Sequence, residues 1–181
     1  VSAPSAAAPS GPAPTGPAAT AELLERALSC YKPHCRYLKA VELGGHRATG
    51  EFAIPESCYI DDTGHLNAVE VNICYNQLLY TLLASLVRDG SEPALAGWDM
   101  AEFWRRRLPD VLIAGISSNF RKPIDPRAFT GELSVRQART RTLRHGEPPL
   151  VDLDTAFAFR DSGGGLASGT ARIVITGGGN G

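Results

Sequence analysis

One segment limits the possible folds more than any other. Residues Ala68 to Val87 read AVEVNICYNQLLYTLLASLV, 20 residues without glycine or proline. As a helix this run is about 30 Å long at ~1.5 Å per residue. It is apolar on nearly every side, so it belongs in an interior rather than on a surface. Glu70, Asn72, Asn76 and Gln77 interrupt it, which argues against a membrane span. Such a helix needs a cover around most of its circumference, and the rest of the chain supplies strands. Tyr37–Leu43 and Arg47–Ile54 read as a hairpin turned at Gly44-Gly45, with Pro55 closing the second strand. Ile113–Arg121, Phe129–Arg139, Val151–Phe159 and Leu166–Thr176 are rich in Val, Ile, Phe and Thr with partial alternation. Pro123–Pro126, Gly146–Pro149 and Ser162–Gly165 supply the turns. Two short helices are expected, Glu22–Leu28 with Thr20 as N-cap and Asp99–Arg107 with Pro109 beyond its end. Strands grouped in this way predict an α+β fold, an antiparallel sheet with helices on one face. A sheet wrapped around one long central helix is the hot-dog fold.

Composition sets the domain limits. Residues 1–19 hold 5 of the 13 prolines and 7 alanines, and Val1–Ala21 carries no charge. That stretch buries too little apolar surface to offset the entropy of ordering it, so residues 1–20 are expected to be a disordered tail. Residues 177–181 (GGGNG) form a second, Gly-rich tail, leaving 21–176 as one folded domain. Lys+Arg 18 against Asp+Glu 19 gives a net charge of −1, which argues against a nucleic-acid binder. No basic segment precedes an apolar one at the start, so no secretory signal is expected. The four cysteines, Cys30, Cys35, Cys58 and Cys74, fit neither a disulfide scaffold nor a zinc template. Reduced thiols in the cytoplasm are the simplest reading, with no membrane partner. The charge is unevenly spread. Residues 105–144 hold 10 Lys/Arg against 3 Asp/Glu, leaving 8 against 16 elsewhere. A basic patch suits an acidic or phosphate-bearing partner; charges scattered over the sheet's outer face are the alternative.

The start of the long helix carries most of the candidate chemistry. Asn67-Ala-Val-Glu70 has the spacing of a capping box. A helix N-terminus also offers free N–H groups and partial positive charge to a carbonyl oxygen. Asn76 lies nine residues after Asn67, on the opposite side of a regular helix. Either Asn67 lies outside the helix as its cap, or a pocket draws on two subunits. Asn72, Asn76 and Tyr80 share one face, and Asn76 can equally be a buried amide paired with backbone. Glu70 or Gln77 is the rival catalyst on this helix, with the cap as the preferred role for Glu70. Tyr59 reads either as a substrate contact or as a half-buried aromatic with a wet hydroxyl. His65 sits in the loop before the helix, and its plain alternative is a loop histidine bonded to a carbonyl.

From Glu56 to Tyr80, ESCYIDDTGHLNAVEVNICYNQLLY, the sequence resembles the FcoT-like (type III fatty acyl-CoA) thioesterase family. The likeness continues through Cys35-Arg36-Tyr37-Leu38 and through Ser117–Pro123 (SSNFRKP), covering roughly Glu22 to Ile175. The resemblance implies a hot-dog fold and an active site at Tyr59, His65, Asn67 and Asn76, with Tyr31 as a fifth position. Relatives include dual-function enzymes that add glycine to the β-carbon of a 2-enoyl thioester on an acyl carrier protein and then hydrolyse the thioester. Others are long-chain acyl-CoA thioesterases. For that chemistry His65 suits the base, since imidazole (unperturbed pKa ~6.5) can take the proton glycine's ammonium must lose. Tyr31, Tyr80, Arg121 and Lys122 are candidate substrate contacts, an Arg offering a bidentate grip on the glycine carboxylate. The expected product is an N-carboxymethyl-3-amino fatty acid, formed without metal or organic cofactor. A plain thioesterase and a non-catalytic acyl-binding module are the rivals. The resemblance also implies a homodimer, with hexamers built from three dimers.

Overall fold

The computed structural model describes residues 16–142 and 149–176. Residues 1–15, the 177–181 tail, and positions 146–148 of the expected Gly146–Pro149 turn lie outside the described residues.

The first helix, α1 (Pro17–Leu28), starts earlier than expected, so residues 17–20 are helical rather than part of a tail. Proline lacks only an N–H that the first helical position cannot use, and the alanines that follow are the strongest helix formers. Gly16 is the N-cap. Thr20 lies inside the helix and donates its N–H to the Gly16 carbonyl at 3.0 Å. A hairpin follows, β1 (Leu38–Gly44) and β2 (Arg47–Phe52). The long helix α2 runs from Ala68 to Asp89. Helix α3 (Met100–Asp110) is capped by Asp99, whose carboxylate accepts the Glu102 N–H at 2.8 Å. It continues through Pro109 instead of stopping at Arg107. A proline in the last turn forfeits a single helical hydrogen bond, and Arg106 Nε to Asp110 Oδ2 at 2.6 Å ties that turn.

Four long strands complete the chain: β3 (Val111–Lys122), β4 (Phe129–Arg141), β5 (Leu150–Arg160) and β6 (Leu166–Ile175). All pairings are antiparallel, in the order β1-β2-β4-β5-β6-β3. The edges are therefore β1 and β3. Alternate residues of β5 (Val151, Leu153, Thr155, Phe157, Phe159) point inward and share one apolar core with Leu78, Leu79, Leu82 and Leu83 of α2. This is the α+β hot-dog arrangement expected from the sequence. A buried hydrogen-bond chain within it ties α2 to the sheet. Tyr75 Oη lies 2.7 Å from Thr155 Oγ1, which donates to the Ala171 carbonyl at 2.9 Å.

The enclosure of α2 is less complete than its apolar sequence suggests. Val69 is 48% exposed, and Asn72, Ile73, Asn76 and Tyr80 are half-buried along the same side. On the edge strand β3, Leu112, Ile116 and Phe120 are likewise exposed. Among the described residues, no helix is long and apolar enough to cross a membrane.

Candidate active site

Two short segments face each other across an open cleft of about 420 Å³. His65, Leu66, Asn67 and Ala68 form one wall, and Phe120, Arg121, Lys122 and Pro123 the other. The backbone fixes their spacing, because the Leu66 N–H donates to the Ile124 carbonyl at 2.9 Å.

The first wall is the beginning of α2, and its capping box decides which groups remain free. Asn67 is extended (φ −100°, ψ 173°), outside the helix. Its Oδ1 accepts the Val69 and Glu70 amides at 3.0 and 3.1 Å, and the Glu70 carboxylate accepts the Asn67 N–H at 3.2 Å. The Asn67 carbonyl accepts the Val71 N–H at 2.9 Å. That leaves the Ala68 amide as the one first-turn donor without a partner among the described residues. Asn67 Nδ2 is a second unpartnered donor, buried within the chain. Tyr59 is 49% exposed and donates its hydroxyl to Asn67 Oδ1 at 2.7 Å, so it joins the site through the cap.

His65 is held by the turn before it. Its Nδ1 lies 2.9 Å from the Thr63 carbonyl. A carbonyl only accepts, so in the neutral imidazole Nδ1 carries the proton and Nε2 keeps its lone pair. The turn is tight. Gly64 has φ +73°, in the left-handed region that favours glycine, and Asp62 Oδ1 accepts its N–H at 2.8 Å. Thr63 Oγ1 closes the loop onto the His65 carbonyl at 2.8 Å.

The second wall carries two cations with different surroundings. Lys122 donates to the Gly163 carbonyl, in the turn between β5 and β6. The Arg121 side chain is exposed and makes no ion pair or hydrogen bond among the described residues.

The cleft thus brings together His65, Asn67, Arg121 and Lys122, with Tyr59 attached. It does not include Asn76, Tyr80 or Tyr31. Asn76 Nδ2 donates to Asn72 Oδ1 at 3.2 Å on the open side of α2. Tyr31 and Tyr80 lie near Arg107, Cys30 and one another; burial raises both phenols above their ordinary range. The rival catalysts are occupied structurally. Glu70, 3% exposed, serves the cap. Gln77, fully buried, accepts the Tyr37 and Leu38 amides at 3.0 and 2.9 Å and donates to the Cys35 carbonyl at 2.7 Å.

The basic segment does not form one patch. Arg105 and Arg106 pair with Glu102 and Asp110 on α3. Arg107 is buried and donates to Arg26 O and Ser29 Oγ, each at 3.1 Å, at the C-terminal end of α1. Arg127 reaches Asp62 at 3.4 Å, and Arg141 pairs with Asp152 on the sheet face away from α2. Arg144 lies outside the described residues. Net charge along a segment cannot tell which faces its side chains occupy.

Sequence reasoning points to free N–H groups at the helix start without saying which amide, and it does not single out Thr63 or Phe120. The Ala68 donor is backbone and carries no side-chain signal; the Asn-x-x-Glu spacing was its only trace.

Residues 26–175 match the model of the FcoT-like thioesterase domain. The chain belongs to the FcoT-like thioesterase family. It is 48% identical over 157 residues to a (2E)-enoyl-[ACP] glycyltransferase of Streptomyces coeruleorubidus, covering 84% of this chain and 94% of that protein. It is 38% identical over 160 residues to the enzyme of the same name from Mycobacterium tuberculosis H37Rv, covering 84% and 85%. Among solved structures, this FcoT-like chain is similar to mouse thioesterase superfamily member 2, with TM-score 0.55 and 10% identity, covering 88% and 97%. A hypothetical thioesterase with coenzyme A from Streptococcus pneumoniae aligns with TM-score 0.54 and 12% identity, covering 89% and 99%. At such identities the structural likeness concerns the hot-dog fold alone.

Proposed function

We propose that this FcoT-like protein adds glycine to the β-carbon of a 2-enoyl thioester on an acyl carrier protein and then hydrolyses the thioester. The observation that carries this reading is one cleft lined both by His65, whose Nε2 is left with its lone pair, and by Ala68, whose amide has no partner among the described residues. The names of the relatives at 48% and 38% identity support the substrate class.

In the first step His65 Nε2 takes a proton from the glycine ammonium. The freed amine forms an N–C bond at C3, and the C2=C3 π pair moves onto the thioester oxygen as an enolate. The Ala68 N–H, at the positive end of α2, offsets that charge. The proton then passes from His65 to C2. In the second step His65 takes a proton from water, the hydroxide adds to the thioester carbon, and the same amide holds the tetrahedral oxyanion. Collapse expels the carrier thiolate, which takes the proton back. Arg121, with no competing carboxylate among the described residues, holds the glycine carboxylate. Tyr59 and Asn67 fix the entry to the helix. No step requires a metal or organic cofactor.

Asn76, Tyr80 and Tyr31 enter this reading through a homodimer. Their side of α2 is open, and β3 is an unpaired edge with exposed Ile116 and Phe120, so a second copy along that edge covers both. Four free thiols suit a reducing cytoplasm.

The test is product analysis by mass after incubation with a 2-enoyl-carrier thioester, with and without glycine. A glycine adduct released as free acid is expected. Free enoic acid alone, unaffected by glycine, would leave a plain thioesterase, and no turnover of any acyl thioester an acyl-binding module.

A further inference from the structure

We propose that Asp161, which does not line the cleft, is a positioning residue that sets the separation of its two walls. Asp161 opens the turn between β5 and β6. Its Oδ2 accepts the Asp125 N–H and its Oδ1 the Gly165 N–H, each at 2.7 Å. Asp125 belongs to the loop after β3, and the residue before it, Ile124, accepts the Leu66 N–H at 2.9 Å. Leu66 stands between His65 and Asn67. One carboxylate therefore holds the loop that grips the first wall at its midpoint. The same loop begins at Pro123, at the end of the second wall.

Two further observations tie the turn to that wall. Lys122 donates to the Gly163 carbonyl. Gly165 packs so closely on the loop that a Cβ there would lie 2.4 Å from the Pro123 carbonyl oxygen and 2.7 Å from Ile124 Cα. The Asp125 and Gly165 amides also hold the Asp161 carboxyl below the usual carboxylate range, so it stays ionised and moves no proton in the reaction.

The proposal rests on the cleft being the active site, and its test separates the two. Asp161→Ala and Asp161→Asn are made in the full chain. Turnover of a 2-enoyl-carrier thioester is followed against glycine concentration and pH, and exchange of the Leu66 and Asp125 amides is followed by NMR. Asp161→Ala is expected to raise the KM for glycine about 10-fold or more, with a smaller change in kcat. Asp161→Asn, which keeps one acceptor oxygen, should recover part of the loss. The shape of the pH–rate profile should not move, and both amides should exchange faster in Asp161→Ala. Wild-type kinetics in Asp161→Ala, or a loss no greater than its unfolded fraction, overturns the proposal. If the wild-type chain turns over no thioester, the active-site reading fails on its own. Faster Leu66 exchange then still supports the positioning contact, and unchanged exchange overturns it.

Discussion

The start of α2 combines a helix cap with the proposed chemistry, and substitutions can separate the two. His65 packs little and depends on one carbonyl for its orientation. His65→Ala should leave thermal stability nearly unchanged and lower kcat for addition and hydrolysis by roughly 100-fold or more, as loss of a general base does. Unchanged addition would remove His65 from the mechanism. Asn67 is harder to separate, because its Oδ1 caps the helix while its Nδ2 stands unpartnered. Asn67→Ala should cost about 1 kcal/mol through the lost cap. Asn67→Asp keeps the cap and replaces only the Nδ2 donor. Near-wild-type melting with reduced turnover is expected, and full turnover would show that Nδ2 takes no part.

Among the elements, α2 is hydrogen-bonded to the chain at the start of β1 through one buried amide, while α1 packs on it through apolar side chains. Gln77 makes three hydrogen bonds to backbone groups of Cys35, Tyr37 and Leu38. Gln77→Ala leaves those groups buried without partners. Because each orphaned group costs about 1–3 kcal/mol, destabilisation by at least ~2 kcal/mol is expected in urea unfolding. A loss below ~0.5 kcal/mol would mean that water takes over the bonds.

Two properties belong to the whole molecule. Asp152, on the sheet face away from α2, receives Arg172 through Nε and Nη2 at 2.9 and 2.7 Å, and Arg141 at 3.0 Å. The Arg172 bonds, then those of Arg141, lower its carboxyl from 3.8 to about 2. Its contribution to stability is therefore fully present above pH ~4 and lost as pH falls toward ~2. Asp152→Asn should melt below the wild type at pH 7, with the gap closing between those limits. A gap independent of pH would assign the effect to packing. The second property is association. Ile116→Asp on the β3 edge should convert the proposed dimer to a monomer in sedimentation velocity, and an unchanged dimer would move the interface elsewhere.

Sequence alone determined what local physics controls. The uninterrupted apolar run, the Asn67–Glu70 spacing, the strand alternation and the turn residues are short-range signals, and α2, its cap and all six strands follow them. Where a second signal competed, the sequence reading failed locally. An Ala/Pro composition that reads as tail hides the helical start at Pro17, and Pro109, expected beyond the end of α3, lies within its last turn. His65, singled out mainly by the family resemblance, and Asn67, by the capping spacing, stand together in one cleft. Tertiary structure alone decided that Phe120–Pro123 face them, that the described cations of 105–144 share no single surface, and that Gln77 and Glu70 are committed to backbone. Those outcomes depend on contacts between groups far apart in the chain, where sheet register and loop closure, rather than residue type, set what meets what.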